Sequence, residues 1–429
     1  MQVTKTSSAP LAILLAAEAM NVLDATITQV AGPAIHADLG GPASAIPWFG
    51  AAYTLPFAVL LITGGRLGDL LGRRRVFLSG VAVFALASVC CAFAPGTGVL
   101  IGARGVQGMA AALVIPQTIG LIKVLFTGPA LAAALGWNGP VVGLSAVSGP
   151  LLGALLTDLV SWRAAFLVNV PISIAILVAA RLLPEDRAER PVRLDVPGTV
   201  LVSLGVGLLV FPLIDKWDWR QFAGGAAVLV LFALHQRNRR NPLVEPSLFA
   251  RRGFPAALVA SALFFSVMNG LMLMVVLHQQ LDEGLGVLTS GLTLLPWSSG
   301  LAVSSWAAGR WLVPRYGLRV AFAGLTLLLA GILLATVGPL LPALGIGGLG
   351  LGLFTVPFFT TALAGVRPQE TGSAAGLLNA VQQLGATLGV AVFGTVYLRG
   401  HSPAQAFSLA AALVIATMAA TALMRPRAL

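Results

Sequence analysis

Gly65-Arg-Leu-Gly-Asp-Leu-Leu-Gly-Arg-Arg-Arg75 holds four arginines and one aspartate in eleven positions, between two stretches, 47–65 and 76–94, that carry no charge at all. About 20 apolar residues in helical form cross the ~30 Å hydrocarbon core of a bilayer. The segment therefore reads as a charged loop joining two membrane-spanning helices. A second loop of the same kind, Gly309-Arg-Trp-Leu-Val-Pro-Arg-Tyr-Gly-Leu-Arg319, lies between the apolar stretches 287–309 and 320–340. It lacks the acid, and its later glycine is displaced by one position, so the two form a degenerate repeat. Repeated halves around a central site are a transporter architecture.

The whole chain agrees with a membrane protein. Of 429 residues, 57% are hydrophobic and only 10% charged, where a soluble domain carries about a quarter charged residues. Fourteen apolar runs of spanning length are expected, at 9–31, 47–65, 76–94, 98–121, 130–156, 164–183, 196–214, 222–235, 255–277, 287–309, 320–340, 341–366, 374–398 and 406–424. The eighth is the shortest. A twelve-span reading would turn 184–252 into one long loop, but 196–214 is almost uncharged, and Asp215, Lys216, Asp218 and Arg220 with Trp217 and Trp219 suit an aqueous turn with interfacial aromatics. The expected organisation is a first six-helix half at 1–193, two inserted helices and a linker at 194–252, and a second six-helix half at 253–429.

The formal charge of +11 is explained by topology. With the N-terminus in the cytoplasm, 21 of the 26 basic residues fall in cytoplasmic loops or span ends, the bias that fixes orientation. Both termini are expected inside a bacterial cytoplasmic membrane, and nucleic acid need not be invoked. Cys90 and Cys91 are adjacent and supply neither a disulfide framework nor metal-ligand spacing. Gly345-Ile-Gly-Gly-Leu-Gly350 matches a dinucleotide fingerprint but lies inside a span without a preceding strand. No Walker A, His-Glu-x-x-His or Gly-x-Ser-x-Gly sequence occurs, so neither an enzyme nor a cofactor is expected.

The few charges inside spans draw attention. Asp24 lies about 14 residues into the first span, roughly 20 Å at 1.5 Å per residue, where ionisation is costly and an intramembrane acid marks proton or cation handling. Asn21, Asp24 and Thr28 share one helical face. Glu18 sits about 120° around the helix from Asp24 and suits a second titrating site or an interfacial snorkel. Either acid could also pair with a lipophilic cation. Arg104, with Gln107 on its face, could tune a nearby carboxyl or snorkel to headgroups. Asp69 with Arg73, Arg74 and Arg75 forms a charged cluster, and Gly65, Gly68 and Gly72 permit close backbone approach. Such a cluster could latch two halves in one state and release them in another. Gly149 and Gly153 flank Pro150 in the fifth span, a small-xxx-small pair with a bend. Asn138, Asn169, Asn269, Gln279, Gln280, Trp297, Asn379, Gln382 and Gln383 supply further polar or aromatic groups for a cavity. His36, His235, His278 and His401 lie near span ends, so no central histidine relay is expected.

Together Leu23-Asp-Ala-Thr-Ile27, the Gly65 to Arg75 loop, Arg104-Gly-Val-Gln-Gly108, Gly149-Pro-Leu-Leu-Gly153, Trp162-Arg163 through Asn169-Val-Pro171, and Asn379 with Gln383-Leu-Gly385 resemble the major facilitator superfamily, and within it the fourteen-span drug:proton antiporter branch. Leu70 stands where the loop motif usually has a basic residue, and Ala154 replaces the second glycine of the span-five motif. The resemblance implies an all-α fold with alternating access, proton coupling at Arg104, a conformational gate at Gly65 to Arg75, and export, which the span-five pattern accompanies. Lipophilic or cationic small molecules, protons and the lipid bilayer are the implied partners, with a monomer as the unit. A facilitator-type transporter of a lipid or metabolite, or an importer, is the alternative.

Overall fold

The computed structural model describes residues 8–186, 194–215, 217–237, 239, 243–249, 253–364, 366–367, 370–400 and 402–424. Within them the protein is built from helices, as a bilayer demands of any open chain whose backbone groups must be satisfied inside each segment. In the first half these are α1 (Ser8–Leu39), α2 (Ala45–Leu71), α3 (Arg73–Ala92), α4 (Thr97–Leu125), α5 (Gly128–Gly136), α6 (Asn138–Leu159), α7 (Trp162–Leu167) and α8 (Asn169–Ala179). Two helices follow, α9 (Val196–Ile214) and α10 (Trp219–Arg237). The second half comprises α11 (Gly253–Leu277), α12 (Val287–Thr293), α13 (Leu295–Ala307), α14 (Val313–Tyr316), α15 (Arg319–Val337), α16 (Leu340–Ala364), α17 (Thr371–Gly400) and α18 (Pro403–Leu423). A π-helical turn, His278–Asp282, extends α11, and another, Ala308–Leu312, joins α13 to α14.

Among the described residues twelve helices are long and apolar enough to cross a membrane, two fewer than the fourteen expected. One difference is α10, which carries Arg220 at one end and His235 and Arg237 at the other; its uncharged centre covers only about 21 Å. The other is the run 287–309, where Thr289, Ser290, Thr293, Ser298, Ser299, Ser304 and Ser305 lower the hydropathy, and which also breaks into α12 and α13 at Leu294. Pro296 cannot donate its share of the helical hydrogen bonds. The expected spans at 130–156 and 164–183 are likewise broken, at Trp137 and Val168, but remain long enough when taken across the break. The side chain of Asn138, His401, and the loop arginines 187, 190, 193, 240, 251, 252, 425 and 427 lie outside the described residues, as do Lys5 and Lys216.

Gly72 makes the turn between α2 and α3 at φ +99°, a backbone conformation L side chains rarely adopt. It marks one end of the bundle; the turn at residues 40–44 marks the other. At the Gly72 end, Leu14, Ala17, Met20, Leu61, Leu121 and Leu183 belong to a core of the first half that takes only Ala380 from the second, among the described residues. At the opposite end Val30, Ile35, Phe49, Leu100 and Phe166 of the first half merge with Phe264, Leu271, Phe354 and Phe393 of the second in one continuous core. The halves are thus joined at the end away from Gly72.

Candidate coupling site and charged loop

Five helices bring polar side chains together inside the first half. Asp24 on α1 is 1% exposed and Arg104 on α4 is 0% exposed. Arg104 Nη1 donates to Asp24 Oδ2 at 2.5 Å and to Gln107 Oε1 at 2.8 Å, and Arg104 Nε donates to the Phe49 carbonyl of α2 at 3.0 Å. Asn169, at the start of α8, donates to Asp24 Oδ1 at 2.7 Å, and Gln107 Nε2 donates to the same oxygen at 3.3 Å. Gln107 Nε2 also donates to Ser88 on α3 at 2.7 Å, and the Cys91 thiol donates to Gln107 Oε1 at 3.3 Å. The guanidinium lies 4.4 Å from the Tyr53 ring centroid and 5.7 Å from that of Phe166. Among the described residues Arg104 Nη2 and Asn169 Oδ1 are buried without a hydrogen-bond partner.

The packing that makes this possible is set by small residues. A Cβ on Gly149 of α6 would overlap Thr26 of α1, and one on Gly153 would stand 2.9 Å from Ile27 Cα. α6 therefore presses α1 towards α4 and α8. Pro150 lies within α6 between the two glycines, and Ala154 meets Gly291 of α12 where α6 touches the second half.

The other expected residues fall into separate places. Asn21 is buried and accepts a hydrogen bond from the Tyr53 hydroxyl, while the Thr28 hydroxyl donates to the Asp24 backbone carbonyl at 2.8 Å. Glu18 is 7% exposed and accepts from Thr118 of α4 at 3.2 Å. It is not part of the Asp24 network. Asn269 of α11 accepts from Gln29 of α1 at 3.2 Å, a bond across the two halves. Gln383 and Asn379 are half-buried on α17, where the Gln383 carbonyl accepts from Thr387. Full burial of Arg104 excludes the snorkelling alternative.

At the Gly72 end Arg73 donates to Asp69 at 2.8 Å and to Asp186 at 3.0 Å, and Arg74 stands 3.7 Å from Glu185. The cluster thus ties α2 and α3 to the segment after α8. Its partners among the described residues all belong to the first half. Gly65 and Gly68 face α4, with Pro116 3.4 Å from a Cβ on Gly65 and Gln117 over Gly68. Gln117 donates to the Gly64 carbonyl at 2.8 Å.

Sequence reasoning left Ser88, Glu185 and Asp186 out of the candidate sites. Asn169, which opens Asn169-Val-Pro171, was expected as a polar group for a cavity and not as a partner of Asp24. Glu185 and Asp186 follow the sixth span at the end where Arg73 and Arg74 lie, so charge complementarity at one membrane face could have found them. Ser88 offers no signal, being one hydroxyl in an apolar helix.

Comparisons with known proteins fit this architecture. A peptide transporter, POT, solved in complex with sulfate, superposes with a TM-score of 0.70 at 15% identity, over 97% of this chain and 93% of that one; at that identity the likeness speaks for the fold. The chain is 42% identical to a probable actinorhodin transporter of Streptomyces coelicolor, over 91% of this chain and 72% of that protein. It is 36% identical to a puromycin resistance protein of Streptomyces alboniger (92% and 84% covered) and 35% identical to a cephamycin export protein of Amycolatopsis lactamdurans (94% and 88% covered). The family model described as Major Facilitator Superfamily matches residues 14–390, and the chain belongs to that superfamily of membrane transporters.

Proposed function

We propose that this protein is a fourteen-span, proton-coupled antiporter that exports hydrophobic or cationic drugs or toxic metabolites across the cytoplasmic membrane by alternating access, with both termini in the cytoplasm. The observation that carries the reading is the Asp24–Arg104 pair, buried and bonded across α1, α4 and α8. In this state the guanidinium compensates the carboxylate. A proton arriving on Asp24 removes that compensation and leaves a buried, uncompensated guanidinium, a cost of several kcal/mol. The two protonation states therefore favour different packings of α1 against α4, which couples a proton to a conformational change. Arg104 acts in this scheme by stabilising the charged acid.

Glu18 serves as a second proton-coupling site or as the pairing group for a cationic substrate. Its carboxylate is buried, and Thr118 is the hydrogen-bond donor it meets. Asn21, Thr28, Gln107, Asn138, Asn269, Asn379 and Gln383 contribute polar groups to the substrate pathway, and Gly65, Gly68, Asp69, Gly72, Arg73 and Arg74 form the gate. Gly149, Pro150 and Gly153 give α6 the close, bent packing of an antiporter helix. Packing of α10 along α9 supports a hairpin that crosses the membrane and returns, and the relatives named for antibiotic transport, resistance and export support the substrate class. The test is substrate-dependent proton movement in everted vesicles beside drug susceptibility of cells expressing wild type or Asp24→Asn. Asp24→Asn is expected to abolish proton-driven efflux of both neutral and cationic substrates; undiminished efflux of both removes Asp24 from the mechanism.

A further inference from the structure

Helix α9 touches both halves of the molecule. Its apolar face fills the seam between α2 and α17, where Val206, Val210 and Ile214 share one buried cluster with Ala51 of α2 and Ala391 of α17. Both alanines are 0% exposed. The other face of α9 presents Val196, Val200 and Leu204 outward, each more than half exposed, as a lipid-facing surface would.

Polar contacts hold the two ends of α9 to different halves. At the Gly72 end the hydroxyls of Thr199 and Thr63 of α2 lie 2.8 Å apart. At the opposite end Thr395 of α17 donates to the Leu213 carbonyl at 2.6 Å, and Arg399 donates to the Asp215 carbonyl at 2.9 Å. Those carbonyls close α9, where a helix has no internal donors left, so α17 satisfies groups that otherwise need water. Between the pins the contact is apolar, and apolar contact is non-directional. It survives sliding in a way the hydrogen bonds do not.

We propose that α9 is a strap, pinned to the first half at one end and to the second half at the other, that keeps the α2–α17 seam closed to the bilayer in both transport states. The inference rests on the alternating-access reading above. As the halves rock, each pin travels with its own half and the strap tilts across the seam. A lipophilic substrate is then denied entry from the lipid through this seam.

Cysteine pairs joined by a short bifunctional thiosulfonate test the pins, in a Cys90→Ser background that keeps the buried Cys91. With ethidium as the exported probe, joining Thr63→Cys to Thr199→Cys, or Leu213→Cys to Thr395→Cys, should leave efflux within about twofold of the reduced protein, because each bridge lies within one moving body. Joining Trp48→Cys to Phe211→Cys, whose native rings lie 5.6 Å apart, ties the far end of α9 to α2 as well. That bridge should lower efflux at least about tenfold, with recovery on reduction. Loss of efflux at either pin, or none at the third pair, overturns the strap. The seal is read on the unmodified protein with a lipid-phase photoactivated carbene probe. Ala51 and Ala391 should stay unlabelled both at rest and during turnover, and labelling at either during turnover overturns it. A wild type that moves no probe counts against the export reading instead, and the carbene labelling still decides the seal.

Discussion

Arg104 has five N–H donors, and its surroundings use them unequally. Nε is held by the Phe49 carbonyl, Nη1 is shared between Asp24 and Gln107, and Nη2 has no partner among the described residues. Buried ion pairs add little to stability when intact, because desolvation consumes much of the Coulomb attraction, but removing one member leaves an uncompensated charge at about 3–5 kcal/mol. Arg104→Ala should therefore unfold at markedly lower temperature in detergent. Adding Asp24→Asn to it should restore part of that loss, since the double variant buries no bare charge. A thermal-melt cycle over the four proteins measures the coupling; strictly additive losses would mean the two groups do not depend on each other. Export should fail in all three variants, because Arg104→Ala leaves the acid uncompensated and the other two have no acid to carry a proton.

Helix contacts decide whether these side chains meet, and here two glycines of α6 behave differently. A Cβ on Gly149 would overlap Thr26 of α1, whereas one on Gly143 meets nothing within 4 Å. Gly149→Ala should push α1 and α6 apart at a cost of about 1–3 kcal/mol, the usual penalty of overpacking, and lower efflux; Gly143→Ala should match wild type in melting temperature and transport. α9 offers a prediction in pH. Burial of the Asp195 carboxyl at the start of α9 opposes its ionisation, but hydrogen bonds from His235, Gln236 and the Gly198 N–H outweigh it and hold the group below the usual carboxylate range. A depressed folded-state value contributes stability that is present above about pH 4 and is lost as pH falls through the folded value. Hydrogen exchange in the first turn of α9 should accelerate on acidification in that window, and Asp195→Ala should remove the dependence along with about 0.5–2 kcal/mol of capping stability. Twelve of the fourteen expected spans were legible because hydropathy and charge are properties of composition. The breaks at Trp137, Val168 and Leu294 were not, since a hydropathy window does not register where a backbone hydrogen bond fails.

At the scale of the whole molecule, what the sequence could not show is who stands opposite whom. Asp24 and Arg104 were recognisable singly as charges in spans, but their pairing depends on α6 pressing α1 towards α4. Asp186 lies 113 residues from Arg73 along the chain, and only the packing of α8 beside α3 brings it there. That second pairing bears on the transport cycle. The halves share a core at the end away from Gly72, while at the Gly72 end the Asp69–Arg73–Asp186 cluster is satisfied within the first half. These side chains are about a quarter exposed, so each pair contributes on the order of 0.2–1 kcal/mol. A contribution of that size matters between two conformations of similar free energy, because 1 kcal/mol changes their ratio about fivefold. Asp69→Asn weakens the intra-half cluster and should shift population towards the state in which the Gly72 ends approach each other. Spin labels at Val124→Cys on α4 and Ala364→Cys on α16 would report that approach, with the mean distance in Asp69→Asn shorter than in the parent and efflux reduced. Val124→Cys with Ala364→Cys in a Cys90→Ser background that keeps Asp69 is the control, because Cys90 is exposed. A distance that stays the same or lengthens would mean that the cluster braces the first half and does not bias the cycle.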